Sequence, residues 1–151
     1  MKKYLLLLLL FNCQHVIDKE SRTTENRTPI FVRGEDNKNA VNKLEPTMYF
    51  AFDSSSLSVS ARKKLQNNLL WMQSNTKANI IIEGHCDERG TREYNLALGE
   101  RRAYAVKRFL VNGGINAARI RTVSFGAERP AIFGMGEGIY RLNRRAEIKV
   151  K

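Results

Sequence analysis

The sequence predicts an α+β domain, a two-layer β-α-β-α-β-β sandwich with two main helices packed on one face of a mixed sheet. Strand-like alternation at Met48–Phe52 and at Ala146–Val150 brackets the domain. Between them lie two apolar stripes at helical spacing, separated by the apolar run Ile80-Ile81-Ile82. Serine and glycine clusters mark the breaks between these segments.

The elements follow in order. Met48, Phe50 and Phe52 alternate with Tyr49, Ala51 and Asp53, and Ser54-Ser55-Ser56 ends that strand. Ser58 or Ser60 caps a helix with the stripe Ala61, Leu65, Leu69 and Met72, which stops at Asn75. Ile80 opens a second strand running to about Cys86. Thr91 caps a second helix reaching about Asn112, where Gly113-Gly114 stops it. Its expected core stripe is Tyr94, Leu98, Ala105 or Val106, and Phe109. Ile120–Phe125 is a third strand, and 126–138 is a loop with a helical turn near Glu137–Leu142. In the last strand Ala146, Ile148 and Val150 face inward, while Arg145, Glu147 and Lys149 face water.

Upstream of the domain the composition changes. Met1-Lys2-Lys3 followed by Tyr4 and Leu5–Phe11 has the basic and apolar regions of an export signal. The apolar stretch is much shorter than the roughly 20 residues a spanning helix needs. It ends on Leu10-Phe11-Asn12-Cys13, which resembles a bacterial lipobox with Phe11 and Asn12 in place of the usual small residues. Cys13 is therefore the expected lipidation site, residues 1–12 the signal, 13–46 a flexible tether and 47–151 the domain. With Cys13 acylated, Cys86 is expected to be a free, packed thiol. The net charge is +11. Residues 14–46 carry six basic and six acidic residues, whereas 47–151 carry 18 basic and nine acidic, so the domain holds the excess. A basic surface attracts polyanions, but an export signal argues against nucleic acid, and the basic residues are not interleaved with exposed aromatics.

The chemistry concentrates where the second strand meets the second helix. Arg102 lies four residues from both Leu98 and Val106 and shares their apolar face. A guanidinium there is costly unless paired. The local candidates are Asp87 at the strand end and Asp53 at the end of the first strand. Alternation from Ile80 places Asp87 on the face opposite Cys86. Two readings follow: a structural ion pair, or a clasp for a ligand carrying both an ammonium and a carboxylate. His85, Cys86 and Asp87 are consecutive in an extended segment, so they do not converge on a metal, and neither metal nor cofactor is expected.

The run Gly84-His85-Cys86-Asp87-Glu88-Arg89-Gly90-Thr91 through Arg101-Arg102-Ala103 resembles the signature of the peptidoglycan-associated lipoproteins, within the OmpA-like C-terminal domain family. Tyr49-Phe50-Ala51-Phe52-Asp53, Val123–Pro130 and Asn143-Arg144-Arg145-Ala146 resemble other parts of the same pattern. The resemblance implies a non-catalytic outer-membrane lipoprotein whose domain faces the periplasm. It implies that Asp87 and Arg102 clasp the diamino acid of the peptidoglycan stem peptide, with Asp53 lining the site. Glu88, Thr91, Asn95 and Leu98 are weaker ligand candidates. It also implies a Tol-system partner, TolB, and a role in envelope integrity and cell division. The alternatives are a wall-acting enzyme, for which no nucleophile–base order or catalytic acid pair is visible, and a basic polyanion binder.

Overall fold

The computed structural model describes residues 43–151; Cys13, the signal and most of the tether lie outside it. The elements are β1 (Thr47–Tyr49), α1 (Val59–Ser74), β2 (Ile80–His85), α2 (Arg92–Asn112), β3 (Ile120–Gly126), α3 (Glu137–Asn143) and β4 (Arg145–Val150), with a 3₁₀ turn at Ala117–Arg119. The sheet order is β1-β4-β2-β3. β2 and β3 are parallel, joined across α2 as a β-α-β unit, and β4 runs antiparallel to both β1 and β2. This is the expected α+β arrangement.

One face of the sheet carries the core. Met48, Ile80, Ile82, Ile120, Ala146 and Ile148 meet Ala61, Leu65 and Met72 of α1 and Ala103, Val106 and Leu110 of α2. The caps are those the sequence predicts: the Ala61 amide donates to Ser58 Oγ (3.1 Å) and the Tyr94 amide to Thr91 Oγ1 (3.2 Å). Gly84 and Gly99 let α2 lie directly on β2. A Cβ on Gly84 would stand 1.9 Å from the Gly99 carbonyl oxygen, so neither position has room for a side chain. This contact fixes the helix face bearing Arg102 against the end of β2.

Four expectations are corrected. β1 stops at Tyr49 rather than Asp53. The Phe50 amide still donates to the Arg144 carbonyl (2.9 Å), but the chain then turns, reaching φ +50° at Asp53. Phe52 consequently points out and is 58% exposed. Tyr94 is exposed rather than core, and Asn95 is buried in its place, because the stripe of α2 runs Asn95, Leu98, Gly99, Arg102, Val106 and Leu110. Residues 44–46, assigned to the tether, pack on the domain. Leu44 joins the core edge, and buried Asn68 on α1 accepts from the Glu45 amide (2.7 Å) and donates to its carbonyl (2.8 Å). In β4, Ala146 and Ile148 are buried and Lys149 exposed as expected, but at the strand ends Arg145 is buried and Val150 exposed.

Candidate functional site

At the carboxyl end of β2 a cleft of about 180 Å3 opens between the β1–α1 turn, the β2–α2 turn and the first turns of α2. Its lining includes Phe52, Asp53, Asp87, Arg89, Arg102 and Arg144. The expected alternation fails here. The β2–β3 register shifts between Gly84 and His85, and the strand ends at His85. Cys86 and Asp87 therefore both line the cleft, although they are neighbours in sequence.

Arg102 is fully buried. Nε donates to the Ser54 carbonyl (2.9 Å), Nη1 to the His85 carbonyl (2.9 Å) and the Cys86 sulfur (3.3 Å), and Nη2 to the Ala51 carbonyl (3.1 Å). Four of its five N–H groups are used. Neither Asp87 nor Asp53 forms the expected ion pair with it. Burial lowers its pKa from the ordinary guanidinium value, outweighing the attraction of the Asp87 and Asp53 carboxylates. It is a buried cation solvated by carbonyl dipoles, with its charge uncompensated by a direct carboxylate contact.

Asp87 is fully engaged by other arginines. Its Oδ1 accepts from the Arg89 amide (3.2 Å) and Nε (3.0 Å), and its Oδ2 from Arg89 Nη2 (2.7 Å) and Arg144 Nη1 (3.2 Å). Burial pushes its pKa up, but these hydrogen bonds win and hold the carboxyl below the ordinary value. Arg144 is the missed residue of the site. It is buried, donates from Nε to the Phe50 carbonyl (3.2 Å), and pairs with Glu137 on α3 (2.5 Å). The adjacent arginines before a final strand are the signal for it, but only tertiary contact shows which one turns inward to the cleft. Arg89, at 37% side-chain exposure, stacks over the rings of Phe52 (4.0 Å) and Tyr140 (4.5 Å).

The remaining candidates divide. Asp53 lines the cleft and accepts from the Tyr94 hydroxyl, with no cation in ion-pairing distance among the described residues. Asn95 and Leu98 also line it. Asn95 donates to the Arg89 carbonyl (3.1 Å) and pins the turn. Glu88 lies outside the cleft and accepts from the Tyr140 hydroxyl (2.8 Å), while Thr91 serves as the α2 cap. Cys86 is a buried thiol donating to the Asn95 carbonyl (3.3 Å), and burial raises its pKa. Of the three arginines lining the cleft, Arg89 and Arg144 pair with Asp87 and with Glu137 of α3, and only Arg102 has no carboxylate in contact.

The OmpA family model matches residues 49–134, and relatives are substantially identical across the domain. The chain belongs to the OmpA family. Within it the sequence groups with the peptidoglycan-associated lipoproteins. It is 47% identical to that of Pseudomonas aeruginosa over 103 residues, which cover 68% of this chain and 61% of the relative. It is 43% identical to that of Haemophilus influenzae over 100 residues, 66% of this chain and 65% of the relative. The match therefore spans less than two-thirds of the length of either relative. The crystal structure of the peptidoglycan-associated lipoprotein from Burkholderia pseudomallei superposes with a TM-score of 0.70 at 38% identity, covering 78% of this chain and 98% of that one. The C-terminal domain of Helicobacter pylori MotB shares the fold, with a TM-score of 0.66 at 19% identity over 72% of this chain and 85% of that one.

Proposed function

We propose that the cleft binds the zwitterionic diamino acid of the peptidoglycan stem peptide, and that the protein tethers the outer membrane to the cell wall through acyl chains on Cys13. The observation that carries this reading is Arg102, a buried guanidinium held by carbonyls at the cleft with no carboxylate in contact, whereas the other two arginines there are paired. A ligand carboxylate supplies the missing anion in a charge-assisted contact through the free N–H of Nη2. The ligand ammonium goes to Asp53, which has no cation partner, and competes with Arg89 for Asp87. Asp87 thus organises the arginines as well as meeting the ligand. The family resemblance supports the stem peptide as the ligand. TolB binding through an overlapping surface belongs to the same reading and rests on the family alone.

The cleft suits binding better than catalysis. Its thiol has a raised pKa and is a poor nucleophile at neutral pH. Asp87, with a lowered pKa, has no proton to give there.

Arg102→Lys tests the site. Lysine keeps the charge and loses the planar fork. Cosedimentation of the folded variant with purified sacculi should fall roughly tenfold to a hundredfold, the worth of a charged hydrogen bond of about 1.5–3 kcal/mol. Wild-type sedimentation by a folded Arg102→Lys or Arg102→Ala protein refutes the clasp. For the anchor, mass spectrometry of the mature protein should find Cys13 first and acylated, and a mature chain beginning elsewhere with Cys13 unmodified refutes it.

A further inference from the structure

We propose that Glu83, His85 and Glu147 form a divalent-cation site, suited to zinc, on the side of the sheet away from the helices. Gly84 faces α2, so its strand neighbours Glu83 and His85 point to the opposite face. Glu147 of β4 stands directly across from Glu83 in the antiparallel register. One ligand atom from each of the three residues lies within 4.8 Å of the others. Carboxylate oxygens and an imidazole nitrogen are zinc ligands, and three protein ligands leave a fourth tetrahedral position for water.

The second observation is His85 itself. Its side chain is almost fully enclosed at 2% exposure, and neither ring nitrogen has a hydrogen-bond partner. Buried polar atoms rarely go unpaired. The ring stacks on Phe125 (centroids 5.6 Å apart) and its Nε2 lies 3.8 Å from Glu83 Oε2, beyond hydrogen-bonding distance. Two basic groups also face the cluster. Lys149 Nζ is 2.6 Å from Glu83, and Arg145 Nε is 2.6 Å from Glu147. They neutralise two carboxylates that otherwise repel across the strands, and neither supplies what the imidazole lacks. Burial first, and then Arg145, lower the His85 pKa to about 4, so the ring is neutral and offers a lone pair.

A cation between the three resolves the arrangement. Ligand atoms on a tetrahedral zinc about 2.1 Å away sit roughly 3.4 Å apart, so the cluster closes by about an ångström through side-chain rotation. The Lys149 ammonium, which bridges Glu83 and Glu147 on a half-exposed side chain, yields its place to the metal and moves into water, while the metal takes over the charge of the buried Glu83. Glu147, with its side chain 26% exposed, provides the way in. The inference is independent of the wall-binding cleft.

The test is zinc chloride titrated into the full chain in competition with a chromogenic chelator. One zinc should bind, with affinity reduced roughly tenfold or more in Glu83→Gln and in Glu147→Gln. Cys86→Ala and His15→Ala should bind as wild type. No zinc binding by wild type overturns the site, as does unchanged affinity in either folded glutamine variant. His15→Ala also leaves His85 as the sole histidine of the chain. Its ring resonances should shift on saturation with one zinc, and ring signals that do not move overturn the proposal even where a glutamine variant fails to fold.

Discussion

The helix side and the open side of the sheet share the stretch Glu83–Asp87, and they hold buried charge in opposite ways. On the helix side the cleft has surplus cation: Arg102 rests on carbonyl oxygens, and the one buried carboxylate, Asp87, is taken by Arg89 and Arg144. On the open side Glu83 and Glu147, opposed across the strands, are matched by Lys149 and Arg145, and the unpartnered group is the imidazole beside them. The first arrangement calls for an anion and the second for a cation. What separates them is strand alternation as far as His85, followed by the register shift that turns Cys86 and Asp87 into the cleft. Five residues thereby serve two faces that leave different groups unpartnered, a guanidinium on one and a neutral imidazole on the other. The same sequence difference explains why wall binding and metal binding should respond to different variants.

The largest expected effect falls on the network that keeps the cleft organised. Asp87→Ala leaves the buried Arg144 guanidinium without one of its two carboxylates, and stability measured by urea unfolding should drop by roughly 3–5 kcal/mol. The same variant carries a pH signature. The folded pKa of Asp87 lies below the ordinary carboxylate value of 3.8, so its stabilisation is fully present above about pH 4 and is lost as the pH falls through the lowered folded pKa. Wild type should therefore lose stability over that acid range more steeply than Asp87→Ala. Equal slopes would mean that Asp87 is not the carboxylate holding the arginines, and the contrast between the two faces would fail.

A smaller effect sharpens the role of Arg89. Its guanidinium is exposed to water and Arg144 remains on Asp87, so Arg89→Ala should lose less stability than Asp87→Ala in the same unfolding measurement. The ligand ammonium then meets Asp87 without a competitor, and affinity for a diamino-acid muropeptide should rise a few-fold by calorimetric titration. A loss of affinity instead would place Arg89 on the ligand carboxylate and make it part of the clasp.

The parts of the molecule legible in sequence are those decided by neighbours in the chain. Thr91 and Ser58 cap their helices through contacts three residues away, and Ile80–Ile82 makes a strand whichever partner it finds. The anomaly of Arg102 was equally legible, because its helical phase with Leu98 and Val106 is a local property. Its partners were not. The carbonyls of Ala51 and Ser54 approach it only because β1 ends early and Asp53 turns the chain back, over a separation of about 50 residues. Arg144 escaped notice for the same reason: nothing adjacent to it says that it will cross to Asp87.

The sequence by itself determined the element order, the caps, most of the apolar stripe of α1 and the cluster of ionisable residues around the β2–α2 turn, since each follows from the periodicity and chemistry of nearby residues. Only the tertiary structure decided which charges meet. Pairing of a buried charge depends on distances between segments brought together by packing, and alternatives a few ångströms apart differ by whole kilocalories in a low-dielectric interior. So Asp87 went to Arg89 and Arg144 rather than to Arg102, and Glu83 came to stand opposite Glu147 beside a buried imidazole.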